Sequence, residues 1–175
     1  MTFPSPPLPP DDPQRALVIA RPDQDATLQF VSLAGDTYTI LISGEQTAGR
    51  YCLIDMFVPP GGGPPPHRHD FEEMFTVLEG EIEVTFRGDQ VILKKGETAN
   101  IPANAPHHFR NISEQPARLL CFCSPAGVEE FFLSVGVPAK SRTAVPEPLK
   151  PAEQDEFKRK AANLAAQYRT EFLHP

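Results

Sequence analysis

Three imidazoles and one carboxylate near the middle of the chain carry the chemistry its sequence offers. His67 and His69 lie two residues apart in GGGPPPHRHDFEEMFTVLEG (residues 61–80), and Glu73 follows four residues later. His107 stands in a second stretch, GETANIPANAPHHFRN (residues 96–111). Imidazole nitrogen and carboxylate oxygen are ligands that borderline divalent metals accept. In an extended chain, side chains two residues apart share a face, so His67 and His69 can reach one ion together. Glu73, at an even offset from His69, returns to that face if the extended run stays regular. The expectation is one divalent transition metal per chain, held by His67, His69, Glu73 and His107. These ligands do not choose among iron, manganese, nickel, cobalt, copper and zinc. His108 is one residue past His107 and should point to the opposite face. His174 belongs to the chain terminus.

Both stretches resemble the paired motifs of the cupin superfamily. The first follows G-x5-H-x-H-x3-E-x6-G through Gly61, His67, His69, Glu73 and Gly80. The second follows G-x5-P-x-G-x2-H-x3-N through Gly96, Pro102, His107 and Asn111, with Asn104 where the family usually has Gly. Asn tolerates a left-handed backbone better than other non-glycine residues, so the turn is expected to survive. The segments 34–47 and 128–139 further resemble the flanks of small single-cupin proteins related to bacterial quercetin 2,3-dioxygenase.

The elements around these motifs read as short strands broken by Gly, Pro and Asp from about residue 16 to 125. In EIEVTF (residues 81–86), Ile82, Val84 and Phe86 alternate with polar residues, and QVILKKG (residues 90–96) returns after a turn at Arg87-Gly88-Asp89. Many short strands with frequent turns predict an all-β sandwich or barrel. The cupin resemblance sharpens this to a double-stranded β-helix, or jelly roll. Strand phase carries Phe75 and Phe109 inward with the histidines, so both should wall the metal cavity, with Phe86 contributing from the neighbouring strand.

Flanking segments differ in character. Six of the 21 prolines fall in residues 4–13, so residues 1–15 should form an extended or disordered arm. Residues 126–175 read as a helical extension: a short amphipathic helix after Gly127, a Pro-rich connector, and a helix over 152–173. Phe157, Ala161, Leu164, Ala165, Tyr168 and Phe172 recur there at spacings of three and four. That stripe must dock on its own barrel or on a partner's. Together with a row of Met74, Thr76 and Leu78 facing away from the cavity, it predicts a homodimer.

Composition narrows the function. At 175 residues the chain suits one main core. Its net charge of −7 provides no basic stripe for a nucleic acid, and no apolar run approaches a membrane span. The N-terminus lacks a secretory pattern, which gives an expectation of a cytoplasmic protein. Cys52, Cys121 and Cys123 are an odd set, read as reduced, buried or pocket-lining thiols.

The resemblance implies a metal-dependent dioxygenase acting on a flavonol-like or other enolisable small molecule, with dioxygen as co-substrate. Glu73 would then be both ligand and general base. The alternative is a non-catalytic or isomerase-type metal-binding cupin that takes a small polar ligand, because this fold hosts many chemistries. No nucleophile motif supports a hydrolase, and no helix-turn-helix pattern supports a DNA-binding regulator.

Overall fold

A computed structural model of the chain describes residues 8–173. The first seven residues of the Pro-rich arm, and His174, lie outside the described residues. Residues 8–15 are exposed and form no helix or strand.

The elements run β1 (Phe30–Leu33), β2 (Asp36–Ile42), β3 (Cys52–Val58), β4 (His67–His69), β5 (Glu72–Glu79) and β6 (Glu81–Phe86). Next come β7 (Asp89–Lys94), β8 (Thr98–Ile101), β9 (His107–Arg110), β10 (Ala117–Ser124) and α1 (Val128–Val135). The chain ends with β11 (Val137–Pro138), α2 (Pro151–Ala165) and β12 (Thr170–Phe172). A seven-stranded sheet is ordered β11-β1-β2-β3-β10-β5-β8, and a five-stranded sheet β12-β4-β9-β6-β7. Every pairing is antiparallel. The result is a double-stranded β-helix. Among the described residues, no helix is long and apolar enough to cross a membrane.

Alternation builds the core between the sheets. Phe75 and Val77 of β5, Ile82 and Val84 of β6, and Leu119 of β10 are buried, while their chain neighbours are half-buried or exposed. The β6–β7 hairpin turns on only two residues, Arg87 and Gly88, both with positive φ (53° and 97°). Such a turn matches the twist of paired strands, so Asp89 already pairs, opposite Phe86. Asn104 adopts φ 67°, as its place in the second motif requires.

One expectation fails where it matters most. The run from His67 to Glu73 is not a single regular strand. β4 belongs to the five-stranded sheet and β5 to the seven-stranded one, and the chain crosses between them at Asp70 and Phe71. Asp70 N–H donates to the Arg169 carbonyl (2.9 Å), the last bond in the register of the β4–β12 ladder before the chain leaves that sheet. Glu73 therefore approaches the histidines from the opposite wall. Gly80 makes the return crossing at φ 74°, where a Cβ would lie 2.9 Å from the Pro116 carbonyl oxygen.

The expected helix over 152–173 also stops early. α2 ends at Ala165; a 3-10 turn follows over Ala166–Tyr168, and Arg169 takes φ 58°. The chain then becomes β12, pairing Thr170 with His69 and Phe172 with His67. Pairing with a free sheet edge outweighs helix propensity here. The apolar stripe docks on its own subunit: Ala161 and Ala165 are buried, and Phe157, Leu164, Tyr168 and Phe172 pack against the core.

A buried carboxyl at the barrel mouth sets a pH dependence. Asp36 is fully buried; Tyr38 O–H donates to its Oδ2 (3.1 Å), while Oδ1 has no partner among the described residues. Burial pushes its carboxyl up to about 8, against the hydrogen bond from Tyr38. The folded state thus keeps a proton that the unfolded chain releases near pH 4. Its stabilising effect is complete below that point and is lost as pH rises toward 8, by up to about 1.4 kcal/mol per pH unit. Urea midpoints of Asp36→Asn should decline less than wild type between pH 5 and pH 8. Parallel declines would show that Asp36 is not the group responsible.

Candidate metal centre

Backbone carbonyls next to each histidine determine how the imidazoles face inward. His67 Nδ1 lies 2.9 Å from the Pro65 carbonyl, His69 Nδ1 3.0 Å from that of Phe71, and His107 Nδ1 2.9 Å from that of Ala105. A carbonyl only accepts, so each Nδ1 carries the proton and donates it. Each Nε2 is then left with its lone pair available. β4 and β9 place His67 directly opposite His107 in the ladder, with ring centroids 4.3 Å apart. His69 is aligned further by stacking on Phe71, at 3.8 Å and an interplanar angle of 2°.

Glu73 meets this group from β5. Its Oε2 lies 3.0 Å from Nε2 of His69 and 3.0 Å from Nε2 of His107. The ligand atoms of His67, His69, Glu73 and His107 all fall within 4.8 Å of one another. With Nδ1 protonated, a carboxylate oxygen would face two imidazole lone pairs at hydrogen-bond distance. That arrangement is repulsive unless positive charge lies among them, either as protons on Nε2 or as a cation. Three neutral imidazoles and one carboxylate fit a divalent transition metal, and the carbonyl contacts to Nδ1 are the usual support for metal-binding histidines. The cluster could hold one such ion.

Electrostatics favour the ligand-ready state at Glu73 and His67, while at His107 they favour the proton that a bound cation would displace. Burial works to raise the Glu73 carboxyl, but hydrogen bonds and charge from His107 and His69 hold it well below the usual carboxylate range. Burial, helped by His107, pushes His67 down to about 4, so it is neutral at neutral pH. For His107, burial lowers the value, yet the Glu73 hydrogen bond and charge prevail and raise it.

Above the cluster lies a cavity of about 360 Å³ walled largely by Tyr38, Phe75, Phe109, Phe131, Phe157 and Phe172. Phe75 and Phe109 line it, their rings 5.3 Å apart edge to face. Phe86 does not line it: its ring is half-buried beneath the Arg87 guanidinium, 4.8 Å from the ring centroid. Lys158, exposed on α2, borders the same cavity. The walls from α1, α2 and β12 were not visible as site residues in the sequence, since nothing local to them encodes where they dock. His108 lines a second, open cleft with Arg110 and Pro146. Asn111 is no ligand: its amide donates to the Val58 and Gln115 carbonyls (3.0 and 2.8 Å) and ties the end of β9 to the barrel.

The cysteines are free and buried, as expected. The structure adds that Cys121 Sγ lies 3.4 Å, and Cys123 Sγ 3.9 Å, from Glu73 Oε1. The hydrogen bond with Cys123 pulls the Cys121 thiol down, but burial and the Glu73 charge push it up to about 12, leaving it protonated.

Comparisons with known proteins agree with this geometry. The Cupin domain family matches residues 54–123, which contain both motifs. Quercetin 2,3-dioxygenase of Bacillus subtilis is 31% identical over 101 residues, 57% of this chain but only 30% of that protein. The uncharacterized protein MJ1618 of Methanocaldococcus jannaschii is 35% identical over 109 residues, 61% of this chain and 87% of that protein. Among solved structures, the polyketide cyclase RemF from Streptomyces resistomycificus superposes with a TM-score of 0.51 at 28% identity, covering 56% of this chain and 74% of that one. Fold, motifs and these likenesses together make the chain a member of the cupin family.

Proposed function

We propose that the protein is a metal-dependent, dioxygenase-like oxidoreductase acting on a flavonol-like or other enolisable small molecule. One observation carries this reading: three imidazole Nε2 atoms and one carboxylate converge at an aromatic-walled cavity of about 360 Å³. His67, His69, Glu73 and His107 would hold one divalent transition metal. When bound, such an ion supplies Lewis acidity that favours ionisation of an enolic hydroxyl. Glu73, held as a carboxylate, would take the proton from that hydroxyl. The aromatic walls orient a flat substrate and exclude water. The likeness to quercetin 2,3-dioxygenase supports the substrate class, although the match spans under a third of that protein.

A second reading has a specific observation behind it. The likeness to a polyketide cyclase supports an oxygen-independent rearrangement of a polycarbonyl aromatic substrate in the same cavity. A small polar ligand fits less well, because the walls are overwhelmingly apolar.

Metal ligation is tested first. Purified protein should carry about one divalent metal per chain at neutral pH and lose it in acid, since protonated imidazole and carboxyl do not ligate. The double variant His67→Ala, His107→Ala should be metal-free by elemental analysis. Full metal content in that variant would defeat the assignment.

Activity is tested by oxygen uptake with a panel of flavonols and β-diketones. Glu73→Gln keeps a possible oxygen ligand but removes the base, so turnover should fall about 100-fold or more while metal content changes little. Substrate conversion without oxygen uptake favours the cyclase-type reading, and equal turnover in both proteins removes Glu73 as the base.

The homodimer is proposed to form through the outer face of the seven-stranded sheet. Leu53, Phe122 and Met74 lie side by side on β3, β10 and β5, and Tyr51 stacks on Phe122 at 5.3 Å. Met74 and Tyr51 remain 37% and 39% exposed, leaving an apolar row that a second copy would cover. Light scattering at micromolar concentration should give twice 19.3 kDa, and Phe122→Glu should give the monomer mass. A wild-type mass of 19.3 kDa rejects the dimer.

A further inference from the structure

Building on the metal centre read above, we propose that Cys121 and Cys123 are positioning residues, whose thiols hold Glu73 so that it meets the ion through one oxygen only. The two oxygens of this carboxylate face different surroundings. Oε2 lies 3.0 Å from the Nε2 atoms of His69 and His107. Oε1 points the other way, toward Cys121 Sγ at 3.4 Å and Cys123 Sγ at 3.9 Å.

The sheet register produces this contact. β10 pairs with β5 so that Cys123 stands opposite Glu73 and Cys121 opposite Phe75. Alternation then sends both thiols into the barrel, 3.6 Å from each other and essentially out of contact with water. On its other side Cys123 stands opposite Cys52 of β3, which closes the back of the group with a third buried thiol.

A carboxylate oxygen buried behind the metal ligands needs a donor, and among the described residues only thiols donate to it. S–H is a weak donor. With one proton on each thiol, Cys121 donates to Oε1 and Cys123 backs it through their mutual contact; such weak donors orient the carboxylate while withdrawing little charge from it, which suits a group that must both ligate and accept a proton. An Oε1 retained by the thiols does not swing toward the ion, so the coordination position it would occupy stays available to substrate. A hydroxyl in the same place would orient Glu73 as well but would draw more charge from it.

The test uses Zn(II) as the probe, with no substrate. Infrared spectra of Zn(II)-loaded and metal-free protein are compared, with Glu73→Gln identifying the Glu73 bands. The separation of the carboxylate stretches distinguishes one-oxygen from two-oxygen ligation. The S–H stretch, in a region free of other protein bands, reports the thiol hydrogen bonds. Wild type should show hydrogen-bonded S–H bands and one-oxygen ligation. The double variant Cys121→Ala, Cys123→Ala should change to two-oxygen ligation and bind Zn(II) about tenfold more weakly in competition with a chelating dye. Cys121→Ser, Cys123→Ser should restore both readouts. Should the alanine pair fail to fold, Cys121→Ala alone removes the shorter contact and serves the same comparison. Wild-type ligation and affinity in the alanine variants overturn the positioning role while leaving the metal centre intact. Failure of wild type to take up Zn(II) overturns the metal centre, and this role with it.

Discussion

A carboxylate removed from water inside an apolar barrel is the constraint around which this molecule is arranged. Left uncompensated, a charge such as that of Glu73 costs several kcal/mol, comparable to the whole net stability of many domains. Compensation comes at the facing sheet, where β4 and β9 aim imidazole nitrogens at Oε2 and so gather the protons or the cation that supply positive charge. The two walls of the barrel are therefore joined electrostatically at one point as well as by apolar packing. Much of the local design follows from the need to hold those nitrogens still. Each Nδ1 is engaged by a carbonyl within two residues, so the strand that carries a histidine also orients it.

Support for that wall comes from the far end of the sequence. β4 is only three residues long, and a strand this short has little stability of its own. It is flanked by β9 on one side and β12 on the other, and β12 is delivered there by α2. Leu173 N–H donates to the Pro66 carbonyl (2.9 Å), next to the first histidine. The C-terminal segment thus covers a sheet edge, closes the cavity with Phe157 and Phe172, and braces the strand bearing two of the imidazoles. Disturbing its apolar stripe would be felt at the site without touching the His/Glu cluster.

The site and the barrel were legible in the sequence to different depths, for physical reasons. The candidate cluster is marked locally, because two motifs single out His67, His69, Glu73 and His107, which the fold then gathers. Period-two alternation exposed the core strands, and the positive φ of Asn104 followed from its place in a turn. The crossing at Asp70 and Phe71 escaped notice because alternation looks the same whether a chain stays in one sheet or passes to the next. The end of α2 escaped because the stripe continues at helical spacing through Tyr168 and Phe172, while the free edge of β4 that recruits β12 lies about a hundred residues away. Phe86 shares the phase of Ile82 and Val84 and packs against the core, yet at the strand end its ring lies away from the cavity, under Arg87. Cys121 and Cys123 were readable as buried thiols, but their contact with Glu73 depends on the register between β5 and β10, which no local pattern records.

The uneven polarity of the cavity bears on what it can hold. Its strong hydrogen-bonding and ligating groups are gathered in the His/Glu cluster, and its walls are almost entirely aromatic and aliphatic. A sugar or small polyol placed there would lose water from several hydroxyls at once, and each left without a partner costs about 1–3 kcal/mol. A flat aromatic molecule with oxygens along one edge escapes most of that cost. Its rings replace water against Phe75, Phe109 and Phe131, while its polar edge meets the imidazoles and Glu73. The same distribution of polarity also selects the orientation, since turning the molecule end over end would press its oxygens against phenylalanine. Recognition of this kind needs no hydrogen-bonding array around the ligand: one polar end and a closed apolar wall suffice, and the C-terminal segment supplies much of that wall.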